Sequence, residues 1–310
     1  MDKFTFLWSA GRADFIFMRL STIIFSLLLV AVPLRAADAV LTVAGSDLLG
    51  PDFSAGVTAF AKRAGLTVTL KLAGSRAGLE AMQAGKADLA LLVFADDEKP
   101  PAAPLVARPV AFCTAAVVVP AGLPLEQVTF RQLQQVFSAS ESSPPKFWFN
   151  LGLSPNDDWG RRPVSPILCG PGGGLSYDLF RHKVLATPAL RAAVAVADDP
   201  PAAQRQVIAA DGGIAILPLP PVGRRDLKTL PVARGSREVA FLPTAESIFS
   251  GDYPIRLPVQ VVFRSDAAKR LLPLLRFLYG ADAVPLWQGA QLVPLPANAR
   301  EGQVLEFEAM

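Results

Sequence analysis

The sequence has one histidine, His182, and two cysteines, Cys113 and Cys169, among 310 residues. With one imidazole and no cluster of thiols or carboxylates at ligand spacing, it offers no metal site. His182 lies six residues after Ser176 on an expected helix, and residues that far apart do not share a helix face, so no Ser–His pair forms there. No G-x-S-x-G elbow is present. The glycine run at 172–174 is not followed by Gly-Lys-Ser/Thr, which disfavours nucleotide hydrolysis. Carboxylate pairs occur at Asp96-Asp97, Asp157-Asp158 and Asp198-Asp199, all in polar, proline-flanked loops where solvation is the default. The chain is therefore read as a non-enzyme without cofactor. Concentrated basic charge is also missing: the formal net charge is +3, and four basic and two acidic residues of it lie in residues 1–36. That excludes a nucleic-acid footprint.

No stretch beyond the N-terminus reads as a transmembrane helix. Residues 20–32 form a charge-free stretch preceded by Arg19 and followed by Pro33, Ala36 and Ala37. A positive start, a short apolar centre and a small-residue exit describe a secretory signal peptide over 1–36. The stretch is short of the ~20 residues of a spanning helix. Met18 precedes it and is an alternative start; an uncleaved anchor is the alternative fate. Export, to the periplasm, puts Cys113 and Cys169 where a disulfide survives. Two buried free thiols are the favoured reading, because spacing in sequence does not give their separation.

Hydrophobic material is plentiful, at 51% of residues, enough for one large or two middling domains. Residues 40–44, 66–72 and 88–93 read as strands, with helices at 53–64 and after Gly74-Ser75, a βαβαβ run that builds a parallel sheet. A proline-rich break at 96–104 follows. Then come a long strand at 110–120, a short helix at 129–137 capped near Thr129, and a loop rich in Ser, Pro and Asn at 138–158. A strand at 164–169 leads into the glycines and a helix through Tyr177, Phe180 and Val184. Residues 201–210 read as helix, 213–217 as strand, 242–258 as loop, 259–263 as strand and 267–279 as helix.

Three points share one arrangement, a strand ending in small or hydroxyl residues where a helix begins. They are Gly45-Ser46-Asp47, Gly74-Ser75-Arg76, and Gly172-Gly173-Gly174-Leu175-Ser176. The first N–H groups of a helix have no internal partner and its dipole favours negative charge there. Glycines let a ligand approach and serine adds a donor, so Ser46, Ser75, Gly173, Gly174 and Ser176 are candidate contacts for a small anion. Arg76 is the best placed arginine for a bidentate contact, ahead of Arg161 and Arg162. Asp47 and Asp88 are candidate acceptors for a protonated oxyanion, or a helix cap and a turn residue.

These residues carry a resemblance. VAGSD at 43–47, GSRAGLEAMQAGKADLAL at 74–91, VTFRQLQQVFS at 128–138, GPGGGLSYDLF at 170–180, DGGIAIL at 211–217 and SIFSGDYPIRLPVQVVF at 247–263 occur in the order seen in one family. It is similar to the periplasmic phosphate-binding proteins of ABC importers. The resemblance implies an α/β, two-lobed type II periplasmic binding-protein fold with two crossover strands. Residues 37–108 plus 236–310 would form one lobe and 109–235 the other. It also implies a monomer that carries phosphate or a related oxyanion to ABC transporter membrane subunits. The chain departs from the family at the contacts. Gly174-Leu175-Ser176 stands where the family has Ser-Gly-Thr, and Cys169 or Gly170 where it has a phosphate-pairing arginine. Leu92-Val93 replaces a polar pair. A ligand-poor relative serving as an envelope interaction or sensor module is the alternative.

Overall fold

A computed structural model of the protein describes residues 40–94, 98–185 and 189–310; the leader at 1–36 and the Asp96-Asp97 pair lie outside them. The chain runs β1 (Leu41–Gly45), α1 (Gly50–Arg63), β2 (Val68–Leu72), α2 (Ser75–Gln83), β3 (Leu89–Val93) and β4 (Leu105–Thr114). It continues through β5 (Ala116–Pro120), β6 (Val128–Thr129), α3 (Phe130–Phe137), β7 (Ser165–Cys169), α4 (Ser176–Lys183) and β8 (Ala195–Ala197). Next are α5 (Pro200–Ala209), β9 (Gly213–Leu217), β10 (Leu227–Leu230), β11 (Val232–Ala233) and α6 (Ala245–Ser250). Last come β12 (Arg256–Arg264), α7 (Ala268–Tyr279), α8 (Val284–Gly289), β13 (Val293–Pro294) and α9 (Ala297–Glu308).

Two main sheets result. The first has the order β13-β4-β12-β3-β1-β2, with β1, β2 and β3 parallel as the βαβαβ pattern requires. Strand β12, from the C-terminal third, inserts antiparallel between β3 and β4, so both ends of the chain build this sheet. The second has the order β10-β5-β9-β7-β8, with β7 parallel to β8 and β9. Strands β3 and β9 are apolar without alternation because both faces are covered: Leu89 to Leu92 and Ile214 to Leu217 are at most 1% exposed. The first sheet's helices join the core through aromatic rings. Phe60 stacks on Phe277 at 3.9 Å and Phe53 lies 4.6 Å from Trp287. Phe307 of α9 meets Phe263 and Tyr279 edge-on, and Arg108 pairs with Glu306.

The structure corrects the expected single strand at 110–120. Its first half belongs to the first sheet and its second half to the second, and Ala115 alone joins them. An apolar run buried on both faces carries no mark of such a change of partner. Two side chains pin this passage to the returning chain. Thr114 Oγ1 donates to the Ile255 carbonyl at 2.7 Å, and Tyr253 OH donates to the Ala115 carbonyl at 2.6 Å, all buried. Part of the expected loop before β12 is helix α6, which Thr244 and Ser247 close with a reciprocal cap. Helix α3 has the expected cap, Thr129 with Gln132.

Cys113 and Cys169, one on each sheet, are free, buried thiols; the disulfide that export permits is not formed in the structure. Burial pushes the Cys113 thiol up to about 12. The loop paired acids are also placed. Asp199 caps α5 by accepting from Ala202 N at 2.7 Å, and Asp158 pairs with Arg162. His182 is exposed in the last turn of α4.

Candidate functional site

Every one of the three junctions follows the carboxyl end of a parallel strand: β1, β2 and β7. On the first sheet two of them are bonded together. Gly74 N donates to the Gly45 carbonyl at 3.0 Å, and Ser46 N donates to the Leu91 carbonyl at 2.9 Å. The close approach depends on missing side chains. A Cβ on Gly45 would lie 2.5 Å from the Leu91 carbonyl oxygen, and one on Gly78 would lie 3.2 Å from Gly45 itself. Gly78 was not singled out in the sequence; its position one turn into α2, facing the glycine of β1, is the signal.

The serine hydroxyls here are held by backbone donors. Ser46, 1% exposed, accepts from Leu48 N at 3.4 Å. Ser75 accepts from Val93 N at 2.9 Å, tying the start of α2 to the end of β3. Gly74, not Ser75, is therefore the helix cap, at φ 109°. A hydroxyl has one proton and two lone pairs, so Ser46 and Ser75 each keep an unspent proton. The N–H groups of Ser75, Arg76 and Ala77 have no partner inside α2, and no side chain caps them. Asp47 and Arg76 are exposed, without ion-pair partners among the described residues. Asp88 is at the other end of the sheet. It accepts from Thr42 N at 2.7 Å and pairs with Arg270 at 2.5 Å, joining the starts of β1 and β3 away from the three junctions.

The glycine junction is built differently. After β7, Gly170 N donates to the Ala197 carbonyl and Gly173 N to the Gly170 carbonyl, each at 2.8 Å. The Gly173 amide is thus spent, contrary to its expected use as a ligand donor. Gly174 takes φ +65°, a left-handed turn that favours glycine. Ser176, 3% exposed, donates its hydroxyl proton to the Gly173 carbonyl at 3.0 Å. Helix α4 has Leu175 at its cap position and no side-chain cap, which leaves its first-turn amides open. By contrast α3, α5 and α6 are capped by Thr129, Asp199 and Thr244.

Cys169 stands beneath this loop: a Cβ on Gly173 would lie 2.7 Å from its Sγ. Burial, with nearby Asp199, pushes that thiol up to about 11, so it stays neutral. Arg162 is engaged elsewhere, by Asp158 at 2.7 Å, Asp211 at 2.9 Å and the Trp159 ring at 4.0 Å. Leu92 is fully buried and Val93 half-buried where a polar pair is expected. Ser46 and Ser75 are brought together; Ser176 stands on the other sheet, with α4 packed against both β7 and β4. None of the four described cavities is lined by the three serines.

Comparisons with known proteins agree with this architecture. The chain is 25% identical over 287 residues to Protein SphX of Synechococcus elongatus, covering 88% of this chain and 83% of the relative. Among solved structures it is similar to a possible phosphate binding protein from Planctomyces limnophilus. That match has a TM-score of 0.63 and 17% identity, over 88% of this chain and 98% of that one. PstS from Borrelia burgdorferi matches with a TM-score of 0.62 and 14% identity, over 83% and 99%. These likenesses give the two-lobed periplasmic binding-protein fold. No helix among the described residues is long and apolar enough to cross a membrane. The model of the PBP superfamily domain matches residues 33–282, and the chain belongs to that superfamily.

Proposed function

We propose that the protein is an exported, non-enzymatic solute-binding protein. It holds phosphate or a related small oxyanion between two lobes, residues 37–108 with 236–310 and residues 109–235, and delivers it to an ABC importer as a monomer. Membership of the superfamily supports this reading, as does likeness to the possible phosphate binding protein from Planctomyces limnophilus. The observation that carries it is the pair of helices, α2 and α4, that begin without side-chain caps at the carboxyl ends of parallel strands, one on each sheet. The anion would take the hydroxyl protons of Ser46 and Ser75, the first-turn amides of α2 beside Arg76, and the amides of Gly174 to Ser176 where α4 begins. Gly173 lets the loop pack closely over Cys169, and Asp47 stands at the rim. Calorimetry of the purified protein with phosphate, sulfate, molybdate and small organic anions tests this. Micromolar or tighter binding of one of them is expected; silence across the panel would reject it. Release of a chain beginning near residue 37 into the periplasm tests the leader.

One observation favours a second reading. With Cys169 and Val93 at the expected charged positions, the site lacks charge-assisted bonds of about 1.5–3 kcal/mol each. An envelope interaction or sensor module with a weakened pocket fits that loss. It predicts anion silence together with capture of an envelope partner.

A further inference from the structure

The loop at 138–164 takes no part in the anion site, yet it is held firmly. Trp148 is fully buried and donates its indole N–H to the Gly212 carbonyl at 3.1 Å. Gln132 Nε2 donates to the Leu151 carbonyl at 2.9 Å, and Val164 N to the Lys146 carbonyl at 3.0 Å. Arg162 clamps Asp158 and stacks on Trp159. Long ordered loops of this kind in compact domains are commonly functional. Because Trp148 points inward, its neighbours Phe147 and Phe149 are turned out, 38% and 37% exposed. Their rings lie near-parallel, 5.6 Å apart at 15°. Two phenyl rings kept in water on an anchored backbone are a standing cost that a ligand would remove.

These rings line a cavity of about 640 Å³ with Gln135, Ser142, Ser143 and Lys146. Asn150 also lines it, and the direction of its amide is fixed. Its Oδ1 accepts from Lys146 N at 3.2 Å and from Phe147 N at 3.1 Å, which turns both Nδ2 protons away, unspent. The side chains of Gln135, Ser142 and Ser143 have no hydrogen-bond partner among the described residues either. No carboxylate lines the cavity; nearby Glu141 is engaged by Arg131 at 2.9 Å. An apolar platform ringed by amides and hydroxyls matches a molecule with a flat C–H face and many hydroxyl groups. Lacking an acid, the cavity does not match a cation.

We infer that this cavity binds a sugar, with a pyranose ring laid on the outer face of the stacked Phe147–Phe149 pair and its hydroxyls bonded to Asn150 Nδ2 and Gln135. Lys146 admits a sugar carrying a carboxylate. The site is separate from the anion junctions and does not depend on them.

Saturation-transfer NMR of the purified protein with methyl β-glucopyranoside, N-acetylglucosamine, its tetramer and galacturonate tests the inference. Transfer to ring C–H protons of at least one sugar is expected, unchanged by added phosphate. Phe149→Ala should weaken it about tenfold or more, and Phe149→Tyr should retain it. Asn150→Asp is the sharper variant. It keeps an acceptor for Lys146 N and Phe147 N while removing the outward donors, so the loop stays folded and sugar binding falls. An absence of transfer from all four sugars would overturn the inference. So would transfer that survives both Phe149→Ala and Asn150→Asp.

Discussion

The junctions of the first sheet and the glycine junction of the second use the same residue type in opposite senses. On the first sheet, backbone N–H groups of Leu48 and Val93 occupy lone pairs of Ser46 and Ser75, and the hydroxyl protons remain to be given. On the second, Ser176 has already given its proton to Gly173, and the loop holds itself. A serine at a helix start is thus a donor or a spent group according to which neighbour reaches it first. Hydroxyl donors are provided by the first sheet, and the second offers bare amides.

The largest effect that could break this comparison is expected from the glycines. In Gly45→Ala the new Cβ meets backbone 2.5 Å away, with no flexible end to yield. A loss of about 2–4 kcal/mol in urea unfolding is expected. Gly174→Ala meets nothing within 4 Å and strains only its φ of +65°, so about 1 kcal/mol is expected. Equal losses would mean that the two sheets hold their loops alike.

Affinity gives the next largest separation. Ser75→Ala removes a hydroxyl proton that has no acceptor among the described residues and is expected to weaken anion binding about tenfold or more by calorimetry. Ser176→Ala should leave affinity within about twofold while lowering stability by about 1 kcal/mol. If both variants weaken binding equally, the asymmetry of the hydroxyls is wrong.

Removing the phenol hydroxyl in Tyr253→Phe orphans the buried Ala115 carbonyl. A stability loss of about 1–3 kcal/mol is expected, measured by denaturant, with the apparent anion affinity shifted although Tyr253 touches no ligand residue. An unchanged unfolding midpoint would deny the pin between the crossovers any role.

The two sheets can also be compared through pH dependence, since each carries one buried thiol. Both thiols ionise later folded than unfolded, Cys113 near 12 and Cys169 near 11 against an ordinary value of 9.0. Above pH 9 the unfolded chain therefore loses protons that the native state keeps. Stability is full below pH 9 and declines as pH rises toward those values, by up to about 1.4 kcal/mol per unit per thiol. Cys113→Ala should flatten this decline more than Cys169→Ala at pH above 11. A flat profile from pH 9 to 11 in the parent would contradict the burial of both.

The βαβαβ order, the cap at Thr129 and the three junctions were legible because each rests on local pattern: periodicity, a hydroxyl at a helix start, a glycine after a strand. Three features were not. The split of 110–120 is a matter of partner strands that are distant in sequence. The direction of each hydroxyl is set by Leu48, Val93 and Gly173 together with tertiary placement. Helices α8 and α9 and the edge strands β8, β10 and β13 are short or weakly periodic, and form by docking on a core that already exists. Asp88 shows the same limit from the other side. Its sequence leaves open a turn residue or an oxyanion acceptor, and only the strand direction shows that it stands at the far end of the sheet.

The one-residue link at Ala115 has a consequence for how this gene can vary. Side chains alternate along a strand, so an added or deleted residue between Thr114 and Ala116 would turn every position of β5 onto its opposite face relative to β4. It would also carry the Ala115 carbonyl away from the Tyr253 hydroxyl. Loops on either side can lengthen, but this stretch has its length prescribed: relatives should differ here by exchange of similar apolar residues and never by count.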